Sequence, residues 1–227
     1  ETGRRVRYCA SDRPMTAKKS VDEIYTSLFN RIMKNTFPPD SWLKEDQLAV
    51  EYNVSRTPVR EVLRSLEQDG LVQIIPNRGA RVLAFTADDL DLIFEIRRVL
   101  EVLALEYAAP SLSIQTLGEI RNAIAASRDR EDCAVHAALD ARLHQYLIES
   151  SGQRRLINML KQLFHILQTF REIGFEEQEV RATTYEEHLE LLDALIVRDS
   201  AAAKELLARH IKNSKHRILK SVLQGGV

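Results

Sequence analysis

Asp140 and His144 stand four residues apart in a run with helical apolar periodicity, so both side chains leave one face of one helix, and Leu147 continues that stripe. His188 takes an inward place between Tyr185 and Leu192, and His210 follows Leu206 and Leu207 by about a turn. One carboxylate and three imidazoles directed into a common interior are the ligand types that hold Zn²⁺, with nickel, manganese and iron as other ions such a mixed N/O set accepts. The same spacing admits a plainer reading, in which each is a buried polar residue with a hydrogen-bond partner. His136, one turn before Asp140, competes for the same face, and His165 and His216 carry no pattern of their own.

Arg97 poses a related problem. It follows Ile93 by four and precedes Leu100 and Ala104 on a stripe that must face a core, where an unpaired guanidinium is costly. It therefore needs an anion. Glu101, four residues on, is one partner; the carboxylate of a small organic acid, held bidentately beside a metal, is the other.

These residues must be positioned by helices. From Thr86 onward Pro110 is the only proline, glycines are few and 3.6-residue periodicity runs throughout. The expected helices are 87–108, 114–128, 132–150, 154–173, 176–198 and 201–223, broken at Ser150-Ser151-Gly152 and Asp199-Ser200, with Ser200 as a cap. Six helices joined by short loops imply an antiparallel bundle over residues 85–227.

The first half reads differently. Leu48, Ala49 and Tyr52 make a short apolar stripe, Asn53 tolerates a left-handed turn, and Ser55 or Thr57 can cap a second helix with Pro58 in its first turn. Val59, Val62, Leu63 and Leu66 give that helix an inward face, which directs Arg56, Thr57, Arg60 and Arg64 outward. A helix start carrying arginines and hydroxyls suits a DNA major groove, although a solvated amphipathic helix shares the pattern. Gly70 ends the helix, and 71–75 and 79–83 form two strands around Pro76-Asn77-Arg78, a wing with Arg78 at its tip. An earlier helix, about Val21 to Lys34, completes a three-helix core. The architecture expected is mainly α: a winged helix-turn-helix over 16–84, then the bundle. Residues 1–15 are expected to be a disordered arm or an expression-derived tail, with Met15 a native start.

The net charge of −1 conceals an asymmetry. Residues 16–84 carry ten basic and nine acidic side chains, whereas 85–227 carry eighteen and twenty-two. Nucleic-acid binding is thus argued from the local placement of Arg56, Arg60, Arg64, Arg78 and Arg81 and not from bulk charge. Cys9 and Cys133 make no disulfide framework and no metal motif, which points to a reducing cytoplasm, and no apolar run reaches membrane-spanning length.

The run Pro38-Pro39-Asp40-Ser41-Trp42-Leu43, with Leu48-Ala49, Val54 to Glu61, Leu66-Glu67, Asp69 to Val72 and Gly79 to Val82, resembles the DNA-binding domain of the GntR family of bacterial transcription regulators. The resemblance implies DNA contacts by Ser55, Arg56, Thr57 and Arg60, and a wing glycine at Gly79. Asp46 stands where relatives often carry a DNA-contacting arginine, and Asn53 replaces the usual turn glycine. Glu95 to Glu101, Asp140-x3-His144 before Ser150-Ser151-Gly152, Glu187-His188-x3-Leu192 and His210 resemble the FCD ligand-binding domain of the FadR branch. That resemblance implies a metal on Asp140, His144, His188 and His210, a small-carboxylate effector at Arg97, and the six-helix VanR-type subgroup in place of the seven-helix acyl-CoA sensor.

The expectation is a cytoplasmic homodimeric regulator, a repressor, that reads a palindromic operator and responds to a small carboxylic acid. Two alternatives are a DNA-binding protein whose helical domain only dimerises, and a metal-dependent hydrolase fused to a DNA-binding module.

Overall fold

Two of the helices open on reciprocal caps. The Ser20 N–H donates to Glu23 Oε2 at 2.8 Å while the Glu23 N–H donates to Ser20 Oγ at 3.2 Å, and Thr86 and Asp89 repeat the exchange at 2.8 and 3.2 Å. They precede α1 (Val21–Met33) and α4 (Ala87–Ala108). The computed structural model describes residues 19–33, 35–175 and 177–224, with side chains except at 165, 166, 168, 169, 172, 173 and 221–224. The arm read over residues 1–15 lies outside the described residues. The chain forms two compact units that divide between Leu90 and Asp91.

The first unit carries α1, β1 (Trp42–Leu43), α2 (Glu45–Glu51), α3 (Arg56–Gln68), β2 (Val72–Ile75) and β3 (Gly79–Val82). α1 packs on α3, with Ile24, Leu28 and Phe29 of the one and Val59, Val62 and Leu66 of the other all fully buried. The Tyr25 hydroxyl donates to Asp69 Oδ2 at 2.6 Å, tying α1 to the end of α3, and burial reinforced by that carboxylate pushes the phenol pKa up. Asn53 adopts the expected left-handed conformation, φ 53°. Ser55 occupies the N-cap position of α3 without a side-chain cap hydrogen bond, contrary to the capping read from the sequence.

The wing has a third strand. The sheet is antiparallel in the order β1-β3-β2, with Leu43 opposite Ala80 on one side of β3 and Ile74 opposite it on the other. Two residues are too short for a periodic signal, which is why the sequence pattern offers only a hairpin. β1 explains Gly79: at φ 104°, a Cβ there would lie 2.5 Å from the Leu43 carbonyl oxygen.

The second unit holds most of α4, then α5 (Ile114–Ala125), α6 (Cys133–Ser150), α7 (Arg154–Gly174), α8 (Gln178–Ile196) and α9 (Ser200–Gln224). All six expected helices form. α9 begins one residue earlier than expected, so Ser200 is its first residue and Asp199 caps it, accepting from the Ala202 N–H at 3.0 Å. Asp132 and Ser113 cap α6 and α5 in the same way. α5 packs on α8, and α6 lies against both α5 and α7. Cys133 is disulfide-bonded, against the expectation of no disulfide; the other cysteine, Cys9, lies outside the described residues.

Trp42 is the only tryptophan and sits in β1, so its fluorescence reports the wing. Gly79→Ala should cost about 1–3 kcal/mol in denaturant unfolding followed at that signal. Gly70→Ala, at φ 73° with open space around the missing Cβ, should cost only about 1–2 kcal/mol and leave the wing intact. Equal stability of Gly79→Ala and the wild type would contradict the β1 approach.

Candidate functional site

The four expected ligands converge. Asp140 and His144 on α6, His188 on α8 and His210 on α9 are all buried, and one ligand atom from each lies within 4.8 Å of the others. The facing Nε2 atoms of His144 and His210 are 3.2 Å apart, and Asp140 Oδ1 is 3.2 Å from His188 Nε2, 3.6 Å from His144 Nε2 and 3.8 Å from His210 Nε2. Donors about 2.0–2.1 Å from a zinc ion at tetrahedral angles are themselves about 3.3 Å apart. The spacing therefore fits a divalent ion at the centre. His188 Nε2 is buried there with Asp140 Oδ1 as its polar neighbour and, among the described residues, no well-aligned hydrogen bond, as suits a lone pair turned toward an ion.

Two outer carboxylates aim the imidazoles. Glu101 Oε2 of α4 lies 2.5 Å from His144 Nδ1, and Glu187 Oε2 of α8 lies 2.8 Å from His210 Nδ1. When each Nδ1–H donates to its carboxylate, the Nε2 lone pair turns to the shared centre. His136 instead places Nε2 2.9 Å from the Arg130 carbonyl, outside the group, and His216 is exposed.

The charges are strongly coupled. Burial alone would raise the Glu101 carboxyl, but Arg97 and His144 outweigh it and hold the group well below the usual carboxylate range. Burial likewise opposes ionisation of Asp140, which His144 and Arg171 nevertheless keep ionised. For His210, burial wins over the bond to Glu187 and pushes the imidazole down to about 3; burial also lowers His188. His144 moves the other way: burial is again the largest effect and lowers it, but Glu101 and Asp140 together outweigh burial and the nearby Arg97 charge and raise it.

Arg97 is 2% exposed and its Nε donates to Glu101 Oε1 at 2.6 Å, so the nearby acid is its partner. That partner leaves Nη2 without a hydrogen bond, facing a cleft also lined by Asp140, Arg171, Thr184, Ser214 and Arg217. Arg171 and Glu187 had no role in the sequence reading. Arg171 did carry a signal: it follows Leu160, Phe164 and Leu167 on one stripe, as Arg97 follows Ile93.

In the first unit, Ser55, Arg56, Thr57, Arg60 and Arg64 are exposed along the start and outer face of α3, and Arg78 is exposed at the wing tip. Lys44 Nζ donates to the Arg78 carbonyl at 3.0 Å, fixing the tip against the start of α2. Arg56 pairs with Asp46 at 2.6 Å and Arg60 with Glu45 at 2.7 Å, so the first turn of α2 holds both arginines by carboxylates.

Glu101→Leu should remove the partner of two buried groups at once and destabilise the metal-free protein by about 3–5 kcal/mol in denaturant unfolding followed by helical circular dichroism. Adding Arg97→Leu should recover much of that loss, because no unpaired guanidinium remains buried; a double variant no more stable than the single would contradict the pairing.

Comparison with known proteins accounts for both units. Residues 92–213 match the FCD domain, and residues 20–82 match the family described as bacterial regulatory proteins, gntR family. The chain is similar to the uncharacterized HTH-type transcriptional regulator YdhC of Bacillus subtilis (strain 168), 29% identical over 90% of this chain and 92% of that protein. It is also similar to the HTH-type transcriptional repressor RspR of Escherichia coli (strain K12), 25% identical over 84% and 85% of the two chains. Among solved structures, E. coli McbR/YncC shares the fold with a TM-score of 0.67 at 21% identity, covering 89% of this chain and 98% of that one. No helix among the described residues is long and apolar enough to cross a membrane. The hydrolase alternative falls with these relatives, which are regulators. The chain belongs to the GntR family, a transcription regulator of its FadR-like branch that joins a winged helix-turn-helix to an FCD domain and is not an enzyme.

Proposed function

We propose that this regulator binds a palindromic operator as a homodimer and changes its affinity when a small carboxylic acid binds beside a divalent metal in the FCD domain. The observation that carries the reading is the buried group Asp140, His144, His188 and His210, with two histidines aimed from behind by Glu101 and Glu187. Zinc suits three imidazoles and a carboxylate, and nickel, manganese or iron would be held by the same donors. The ion supplies a Lewis-acidic coordination position for a carboxylate, and Arg97 Nη2 supplies a donor in the adjoining cleft. Ser55, Arg56, Thr57, Arg60 and Arg64 at the start of α3 contact operator DNA, with Arg78 and Gly79 in the wing. The protein acts in the cytoplasm, where that DNA is, and as a repressor, the role named for its relative RspR.

Dimerisation has its own support. α4 is apolar on two opposite faces: Phe94, Ala104, Leu105 and Ala108 are buried, while Leu92, Ile96, Val99, Leu103 and Tyr107, 40–60% exposed, form a single stripe on the other side. A contiguous exposed apolar stripe of this kind marks an interaction surface. A second copy presenting the same stripe covers it with an isologous contact.

The effector can shift operator binding only by preferring one arrangement of the dimer. Elemental analysis should find about one metal per chain, lost in Asp140→Ala and His188→Ala. The loaded wild type should then release operator DNA in the presence of some member of a small-carboxylate panel. Protein that takes up no metal even with zinc added would leave a regulator whose helical domain only dimerises. In sedimentation experiments Val99→Glu/Leu103→Glu should shift the protein toward monomer with its helical content intact; an unchanged dimer would exclude the α4 face.

A further inference from the structure

Asp140 faces two ways. Its Oδ1 is directed at the three imidazoles, while its Oδ2 lies 2.5 Å from Arg171 Nε without the alignment of a hydrogen bond. Arg171 is 4% exposed, yet Nη1 and Nη2 have no hydrogen-bond partner among the described residues. Its guanidinium stacks 4.3 Å above the Phe164 ring, which fixes the plane of the fork. A buried arginine with its fork unmatched is rare because the donors forfeit their hydration. Arg97 offers a further unmatched Nη2 beside the same cleft, a cavity of about 20 Å³ that opens to solvent. Arg217, also on the wall, is already bonded to Glu187 at 2.8 and 3.0 Å.

The charge balance narrows the ligand. With a divalent ion in the proposed site, the guanidiniums of Arg97, Arg171 and Arg217 face only the carboxylates of Glu101, Asp140 and Glu187, and the charge of the ion is left over. A monocarboxylate at the metal neutralises half of that excess and leaves the Arg171 fork empty.

We infer that the effector is a small dianion, a dicarboxylate whose first carboxylate meets the metal and Arg97 Nη2 and whose second is held bidentately by the Arg171 fork. This rests on the metal-centred sensor reading above and adds to it a specificity-determining residue, Arg171. Thr184 and Ser214, on the cleft wall, are hydroxyl partners for a substituent on the chain between the two carboxylates.

Titration calorimetry on the full-length zinc-loaded protein tests the inference with acetate, propionate and butyrate against malonate, succinate and glutarate. The best dicarboxylate should bind roughly ten- to a hundredfold more tightly than any monocarboxylate, the contribution expected of a second charge-assisted contact. Arg171→Gln should abolish that preference while keeping metal content. Should Arg171→Gln fold poorly, Arg171→Lys, which keeps the charge but loses the fork, should reduce the preference. Equal affinity for both series, or a preference that persists in folded Arg171→Gln or Arg171→Lys, would overturn the dianion while leaving the sensor site standing. Binding of neither series to metal-loaded protein would overturn the sensor reading itself.

Discussion

Glu101 is the residue on which the interior of the helical domain depends. One oxygen accepts from Arg97 at 2.6 Å and the other meets His144 at 2.5 Å, with the carboxylate 2% exposed. Neither partner could remain where it is without that charge, since a lone ion in a low-dielectric interior costs several kcal/mol. The pair of contacts also fixes α4 against α6, and so sets where the first histidine points. Asp140 and Glu187 extend the scheme, each joining an imidazole to a guanidinium across helices. The core is thus a packed apolar shell around a compact arrangement of alternating charges. Replacing such an arrangement with leucines commonly gains stability, so its presence is better explained by what it can bind than by what it holds together.

The apolar shell is ordinary by comparison. Ala104, Ile148, Leu156 and Leu160 pack together with Leu100, Ile157 and Phe164 at their margin, and caps at Ser113, Asp132 and Asp199 place the helix starts. These local devices set the register in which the four ligands meet. A slip of one residue in α6 would rotate Asp140 and His144 by about 100° away from α8 and α9.

Much of this was legible in the chain. The Asp140 to His144 spacing places both on one face of α6, and the helical period around His188 and His210 turns them inward, so periodicity brought the four into one interior while the resemblance to the FCD domain chose them over His136 as a ligand set. The outward set Arg56, Thr57, Arg60 and Arg64 followed from the inward set Val59, Val62, Leu63 and Leu66. Other features depend on contacts between residues distant in sequence. Glu187 sits beside His188 in the chain but serves His210 on another helix. β1 exists because Leu43 finds Ala80, and no two-residue window contains that information. The true partner of Arg97 was likewise a matter of proximity, for which the sequence supplied candidates and no choice.

The acids in the first turn of α2 bear on how the proposed DNA surface would work. Arg56 and Arg60, at 62% and 56% side-chain exposure, are already neutralised by Asp46 and Glu45. For these two side chains, docking on a duplex is an exchange of one anionic partner for another and not the capture of free positive charge. Exchange gains little from an undifferentiated phosphate backbone, because fewer counterions are released for each contact made. It favours a site whose base edges reward the arginine fork geometrically. The carboxylates would then act as a threshold, weakening residence on random sequence more than on the operator.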